Sequence, residues 1–177
     1  KHAGAPIQAL DLVQEIVVTC KICLMWKRPT PKAATSTRLA TSFNDMVQWD
    51  IRFYKQYMIR HLLDEAARWS AGSMLAKKDS SSLIKAISCD WTRLYGPMQT
   101  LVADGEKGLA SEEVSQWLDR QQIHLKVKAP GEHAQMVERH HELLRQVIHR
   151  TEAQLDEEGI TVPIEVIVAE CLFAKNV

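Results

Sequence analysis

The chain has 177 residues, 46% of them hydrophobic and 25% charged, with 22 Lys and Arg balanced by 22 Asp and Glu. That is the composition of one ordinary globular domain with a small appendage, and it excludes a collagen, a disordered tail or a disulfide-dense miniature scaffold. Zero net charge leaves only local basic strips to argue for nucleic acid, and the absence of both an apolar run of membrane length and a signal-peptide pattern predicts a soluble, intracellular chain with no membrane partner.

In chain order, Ile7, Leu10, Leu12, Val13, Ile16 and Val17 recur at helical spacing and predict a short helix leading into the pair Cys20 and Cys23. Two cysteines at C-x-x-C spacing read as a metal knuckle; Cys89 and Cys171, each alone in an apolar stripe, read as buried thiols. Residues 27–42 mix two prolines with Ser, Thr and four basic residues, without apolar periodicity, which predicts an exposed linker. From about 45 to 54 the pattern alternates, Val47, Trp49, Ile51 and Phe53 against Gln48, Asp50 and Arg52, as a half-buried strand requires. Extended runs at Tyr57–Leu63 and Ser73–Ala76 follow at hairpin spacing and make three antiparallel strands. Asp79 then precedes a helical stripe, Leu83, Ile84, Ile87, Trp91 and Leu94, that stops at Gly96-Pro97. A strand over Met98–Ala103, a helix over Ser111–Arg120, a strand over His124–Val127, a long helix from about His133 to Glu158 and a last helix from Pro163 complete the pattern. The order predicts an α/β fold, a mixed sheet flanked by helices. His61, alternating with apolar strand residues, reads as a hydrogen-bonded sheet histidine.

Three carboxylates fall at informative places. Asp50 lies on the polar side of the first strand, Asp104 where a strand runs out into Gly105, and Glu138 in the first turns of the long helix. With about 100° per residue, a stripe of Met136, His140, Leu143, Leu144 and Val147 would leave Glu138 pointing away from the core, and of the neighbours His140 and His141 one would sit at the core edge and one at the surface. Each acid taken singly is an ordinary surface group. Together they could converge on two hard cations, the arrangement that activates an attacking oxygen and stabilises a leaving one at phosphorus.

The flanks of these acids carry a resemblance. The run Phe43 to Asp50, with Trp49 before the acid, Leu62 to Ser70 with Trp69, Trp91 to Met98 with Tyr95-Gly96-Pro97, Val102-Ala103-Asp104-Gly105, and Ala129-Pro130 leading to Val137-Glu138-Arg139 together resemble, in order, the integrases of retroviruses and LTR retrotransposons. The spacings, 53 residues between Asp50 and Asp104 and 33 between Asp104 and Glu138, suit the family's Asp, Asp, Glu pattern. The resemblance implies an RNase H-like fold, a five-stranded mixed sheet whose first three strands are antiparallel. It divides the chain into the end of a His-His-Cys-Cys zinc domain (1–26), the linker (27–42) and a catalytic core (43–177). It makes Asp50, Asp104 and Glu138 the catalytic ligands of two Mg²⁺ or Mn²⁺ ions that support 3′-end processing and strand transfer. It also implies DNA partners (element ends and target), self-association through the core, and a site of action in the host nucleus or a virus-like particle. His2, Cys20 and Cys23 supply only part of a zinc site, which needs four ligands to close, so Zn²⁺ is expected only with a completed domain. On the long helix His141 and Arg145 stand three and seven residues after Glu138 and are candidate DNA contacts, Arg145 having a surface pair with Glu142 as its equal alternative. The chain reads as a piece of a longer polyprotein.

One motif departs from the family. After the second acid this chain reads Gly105-Glu106-Lys107-Gly108-Leu109, without the family's following acid and Phe. That departure keeps open a second function: a catalytically dead or domesticated RNase H-like domain used for DNA binding or self-association.

Overall fold

The computed structural model describes residues 7–22, 40–104, 109, 111–128 and 135–176. A helix, α1 (Ile7–Thr19), carries the N-terminal apolar stripe, with Leu12, Val13, Ile16 and Val17 exposed. His2, Cys23 and most of the linker lie outside the described residues; Cys20 is half-buried.

The sheet is built from β1 (Met46–Tyr54), β2 (Tyr57–Asp64), β3 (Ser70–Leu75), β4 (Thr100–Ala103) and β5 (His124–Val127), in the spatial order β3-β2-β1-β4-β5. The first three pair antiparallel, and β4 and β5 add in parallel on the other side of β1. The fold class expected from the sequence is therefore the one observed, an RNase H-like mixed sheet. The third strand begins at Ser70, three residues earlier than expected, because Asn176 near the end of the chain holds both the N–H and the C=O of Ser70, at 2.7 Å each.

One face of the sheet carries the larger core. Val47, Trp49 and Ile51 of β1 and Leu62 of β2 pack there under a helical segment that starts as α2 (Ser80–Ile87), widens into a π-helical turn (Ser88–Thr92) and ends in the single turn α3 (Arg93–Tyr95). Asp79 caps its start by accepting from the Ser82 N–H at 2.9 Å. The helix α4 (Glu112–Arg120), capped by Ser111, covers the β4–β5 end through Val114 and Leu118.

The long helix α5 (Gln135–Glu158) and the last helix α6 (Ile164–Lys175) cover the other face. The buried stripe of α5 is Val137, His141, Leu144 and Ile148, not the expected stripe through Met136, His140 and Leu143. The rotation has a local cause: the Val137 N–H donates to the Gln48 Oε1 at 3.1 Å, and the Gln48 Nε2 donates to Glu65 at 2.6 Å, so β1 and the end of β2 fix which side of α5 faces inward. Gln48, expected on a solvated face, is thus buried beneath the helix.

The segment before β1 is tied to the far side of the sheet. Asn44, in the left-handed region at φ 73°, donates from its side chain to the carbonyls of Tyr95 (3.2 Å) and Pro97 (3.0 Å) and accepts the Trp91 Nε1–H at 2.7 Å. Phe43 stacks on Trp91 with ring centres 5.9 Å apart, and Tyr95 meets Trp91 edge-on at 5.0 Å.

Candidate active site

Strand register places the first two acids. Trp49 of β1 is the partner of Ala103 in β4, the last pair of that ladder; Asp50 is the next residue of β1, and Asp104 directly follows β4. Asp50 is partly buried: its Oδ1 accepts the Ile51 N–H at 2.8 Å, and its Oδ2 lies 3.2 Å from the Nδ1 of His141. Among the described residues the Asp104 Oδ1 is buried without a hydrogen-bond partner.

Glu138 is exposed on α5, one turn before His141 and so one turn from the residue that touches Asp50. Among the described residues no three His, Cys, Asp or Glu side chains stand close enough together to hold a metal ion, so the expected convergence of Asp50, Asp104 and Glu138 is not formed. The donor chemistry of Asp50 and Asp104 fits a hard divalent cation. Both donors are carboxylates, and the unpartnered Asp104 oxygen carries a burial cost that a cation would relieve.

The two candidate DNA contacts take other partners. His141 is 1% exposed, with its ring against Asp50 and His61, so the reading of it as an outward phosphate contact gives way to an inward one. Arg145 forms a bidentate pair with Glu142, Nε to Oε2 at 2.9 Å and a terminal nitrogen to Oε1 at 2.6 Å.

Sequence reasoning missed a polar layer beneath Asp50. His61, the cross-strand partner of Asp50, is buried, with its Nε2 3.0 Å from the Ser70 Oγ and its ring 5.0 Å from that of His141. Lys175 of α6 donates to the same Ser70 hydroxyl. The layer lies between two apolar clusters on this face, Leu63 with Val137 on one side and Tyr54, Ile59, Leu144, Ile148 and the α6 residues on the other. Of its members, the sequence reading places His61 as a hydrogen-bonded sheet histidine, and the Ser70 contact agrees.

No family model matches the sequence, and no curated protein does. Solved structures match. Over 97% of its length the chain superposes, at a TM-score of 0.70 and 18% identity, on a chain of the simian T-cell lymphotropic virus intasome in complex with the PP2A regulatory subunit B56 gamma, seen by electron cryomicroscopy. Over 74% of its length it superposes, at a TM-score of 0.59 and 18% identity, on the trimeric form of the HTLV-2 integrase catalytic core domain in complex with magnesium, covering 84% of that chain. The chain has the fold of a retroviral integrase catalytic core. It spans 61% of the matched intasome chain. Within this integrase fold no described helix is long and apolar enough to cross a membrane.

The polar layer gives this integrase-type core a pH dependence. Burial pushes His61 well below its ordinary value of 6.5, helped by His141, Lys175 and His140. Burial, with Lys175, Arg68, Arg139 and His141 nearby, lowers His140 to about 4. Both are neutral when folded, whereas the unfolded chain takes up their protons as pH falls below about 6.5, so the unfolded state binds more protons in that window and stability falls with acidification. The urea midpoint should drop between pH 7.5 and pH 5, above the range where unfolded carboxylates protonate. A flat midpoint across that interval would contradict the burial of neutral histidines.

Proposed function

We propose that this chain is the catalytic core of a polynucleotidyl transferase that trims the 3′ ends of a DNA copy and joins them to target DNA. The observation that carries the reading is the fold shared with integrases; Asp50 on β1 and Asp104 directly after β4, with one Asp104 oxygen buried and without a hydrogen-bond partner among the described residues, support it. Asp50 and Asp104 would hold Mg²⁺ or Mn²⁺, with Glu138 delivered from the first turn of α5 as the third carboxylate. Two such ions supply charge to stabilise the attacking and leaving oxygens of an in-line displacement at phosphorus. The chain's own contribution is orientation: the Ile51 N–H fixes one oxygen of Asp50, and the β1–β4 pairing fixes the spacing of the two acids.

DNA, both element ends and target, is the substrate class, and self-association through the core is part of the proposal, as is action in the host nucleus or a virus-like particle. The neutral net charge leaves few phosphate contacts to hold two duplexes, so joining is best sought in a chain extended to complete the zinc domain that the family resemblance implies. That protein should nick and join a DNA end in Mn²⁺ or Mg²⁺. Glu138→Gln should take joining below detection while circular dichroism and melting stay unchanged, because Glu138 is exposed and outside the packed stripe. Joining that survives Glu138→Gln would remove the third carboxylate from the reading. A wild-type protein that binds DNA and joins it in neither metal would favour the dead or domesticated domain, the reading that the altered sequence after Asp104 keeps in play.

A further inference from the structure

We infer that Phe53 is a stacking platform for an unpaired base of DNA, set among cations at the carboxy end of the sheet. The inference rests on the reading of this chain as a DNA-acting core and adds to it the path of one strand. β1 runs parallel to β4 and β4 to β5, while β2 is antiparallel to both β1 and β3, so β3 shares the direction of β1. Four strands therefore end at one edge of the sheet. Asp104 follows β4 there, Phe53 stands one residue before the end of β1, and Lys77 and Lys78 follow β3.

Phe53 lies in a packing row without being packed. It continues the row Val47, Trp49, Ile51 of the larger core, and its cross-strand partner Met58 and, beyond that, Leu75 belong to the same core. Phe53 itself is 60% exposed. A single exposed apolar residue is ordinary on a protein surface, but this one carries a cation. The Lys78 ammonium stands over the ring, 5.2 Å from its centre, within the range of a cation–π contact. The contact takes one face of the ring, and most of the residue stays open to solvent.

Cations continue along the edge. Arg52 beside Phe53, Lys77, and Lys126 one residue before the end of β5 are all exposed. In the strand order β3-β2-β1-β4-β5, Lys77 and Lys78 lie on one flank of Asp50 and Asp104, and Lys126 on the other. The neighbouring Asp79 carboxylate accepts from Ser81 and Ser82, and Lys55 is paired with Glu152 at 2.9 Å, so both are already engaged. A DNA strand laid across this edge would meet cations before and after the two acids. Duplex DNA offers phosphates and base edges, whereas an aromatic face needs a base that has left its stack, as a single-stranded tail supplies. An unpaired base with its flanking phosphates is the ligand that matches a ring set between lysines and an arginine.

The test is equilibrium binding by fluorescence anisotropy in EDTA, with the full chain and two labelled probes: a DNA duplex with a short single-stranded tail, and the same duplex with blunt ends. Phe53→Ala should bind the tailed duplex about 5- to 150-fold more weakly, the usual worth of one stacked base, and the blunt duplex as wild type does. Phe53→Trp should keep the tailed affinity, and Phe53→Leu, apolar without a π face, should lose it. Lys126→Ala should weaken both probes and reduce the salt slope by about one unit. Because Phe53 is exposed, its variants should melt as wild type does. Unchanged affinity of Phe53→Ala for the tailed duplex would overturn the platform, as would an equal loss on both probes or full affinity in Phe53→Leu. A wild type that binds neither probe would overturn the platform and the DNA reading together. Tail binding through Phe53 by a protein that joins no DNA would uphold the platform while the transferase reading fails.

Discussion

Mg²⁺ or Mn²⁺ should raise the melting temperature of this protein, and the double substitution Asp50→Asn, Asp104→Asn should abolish the rise. Asp50 on β1 and Asp104, which directly follows the parallel strand β4, are the proposed ligands, and one Asp104 oxygen is buried without a hydrogen-bond partner among the described residues. Asparagine keeps the size of each side chain and removes the charge, so without metal the double variant should melt above wild type. A ligand at 100 times its dissociation constant stabilises the native state by about 2.7 kcal/mol. For a domain of this size that corresponds to a rise on the order of 5–10 °C. Scanning calorimetry with a titration of each cation, against Ca²⁺ and matched ionic strength, separates binding from general screening. Equal responses in both proteins would count against the site. The outcome also bears on Glu138: if two carboxylates suffice for the shift, Glu138→Gln should reduce it and not remove it.

Most of the fold was legible because its signals are local. Alternation over β1, the Asp79 and Ser111 caps, and the stop at Gly96-Pro97 each act within a few residues, and the elements appear where those signals put them. The failures share a different cause. Gln48 was assigned to solvent because polarity was equated with exposure, while its side chain spans from Glu65 to the Val137 N–H under a helix nearly ninety residues away in sequence. The same contact rotates α5, so the choice between His140 and His141 for the core could not be made from a helical wheel that either residue could join. The start of β3 at Ser70 depends on Asn176, more than a hundred residues distant. For the candidate site, the local patterns place Asp50 on β1 and Asp104 directly after β4. The polar layer of His61, Ser70 and Lys175 does not, because it is assembled from three elements with no common spacing.

Trp91→Ala should be among the most destabilising single changes in the domain, and its effect should reach the acids. Trp91 is fully buried in the π-helical turn, stacks between Phe43 and Tyr95, and donates its indole N–H to Asn44. Truncating a buried tryptophan typically costs about 3–5 kcal/mol, a large part of the 5–15 kcal/mol that holds a domain folded. The change also strands the Asn44 Oδ1, and Asn44 is the residue that ties the entry of β1 to the end of the helical segment and to the entry of β4, through Tyr95, Pro97 and the Gln99 N–H. Those two strand entries set the β1–β4 register, after which Asp50 and Asp104 follow. Trp91→Phe keeps a ring in the stack and loses only the indole N–H and part of the volume, so it should cost less than the alanine variant and weaken the metal-induced rise in melting temperature only modestly. Urea unfolding of the three proteins measures the first effect, and the same calorimetric titration with Mn²⁺ measures the second. A loss below about 1 kcal/mol for Trp91→Ala would mean that the core closes over the missing ring, and the aromatic flank would then have no part in holding the two acids in register.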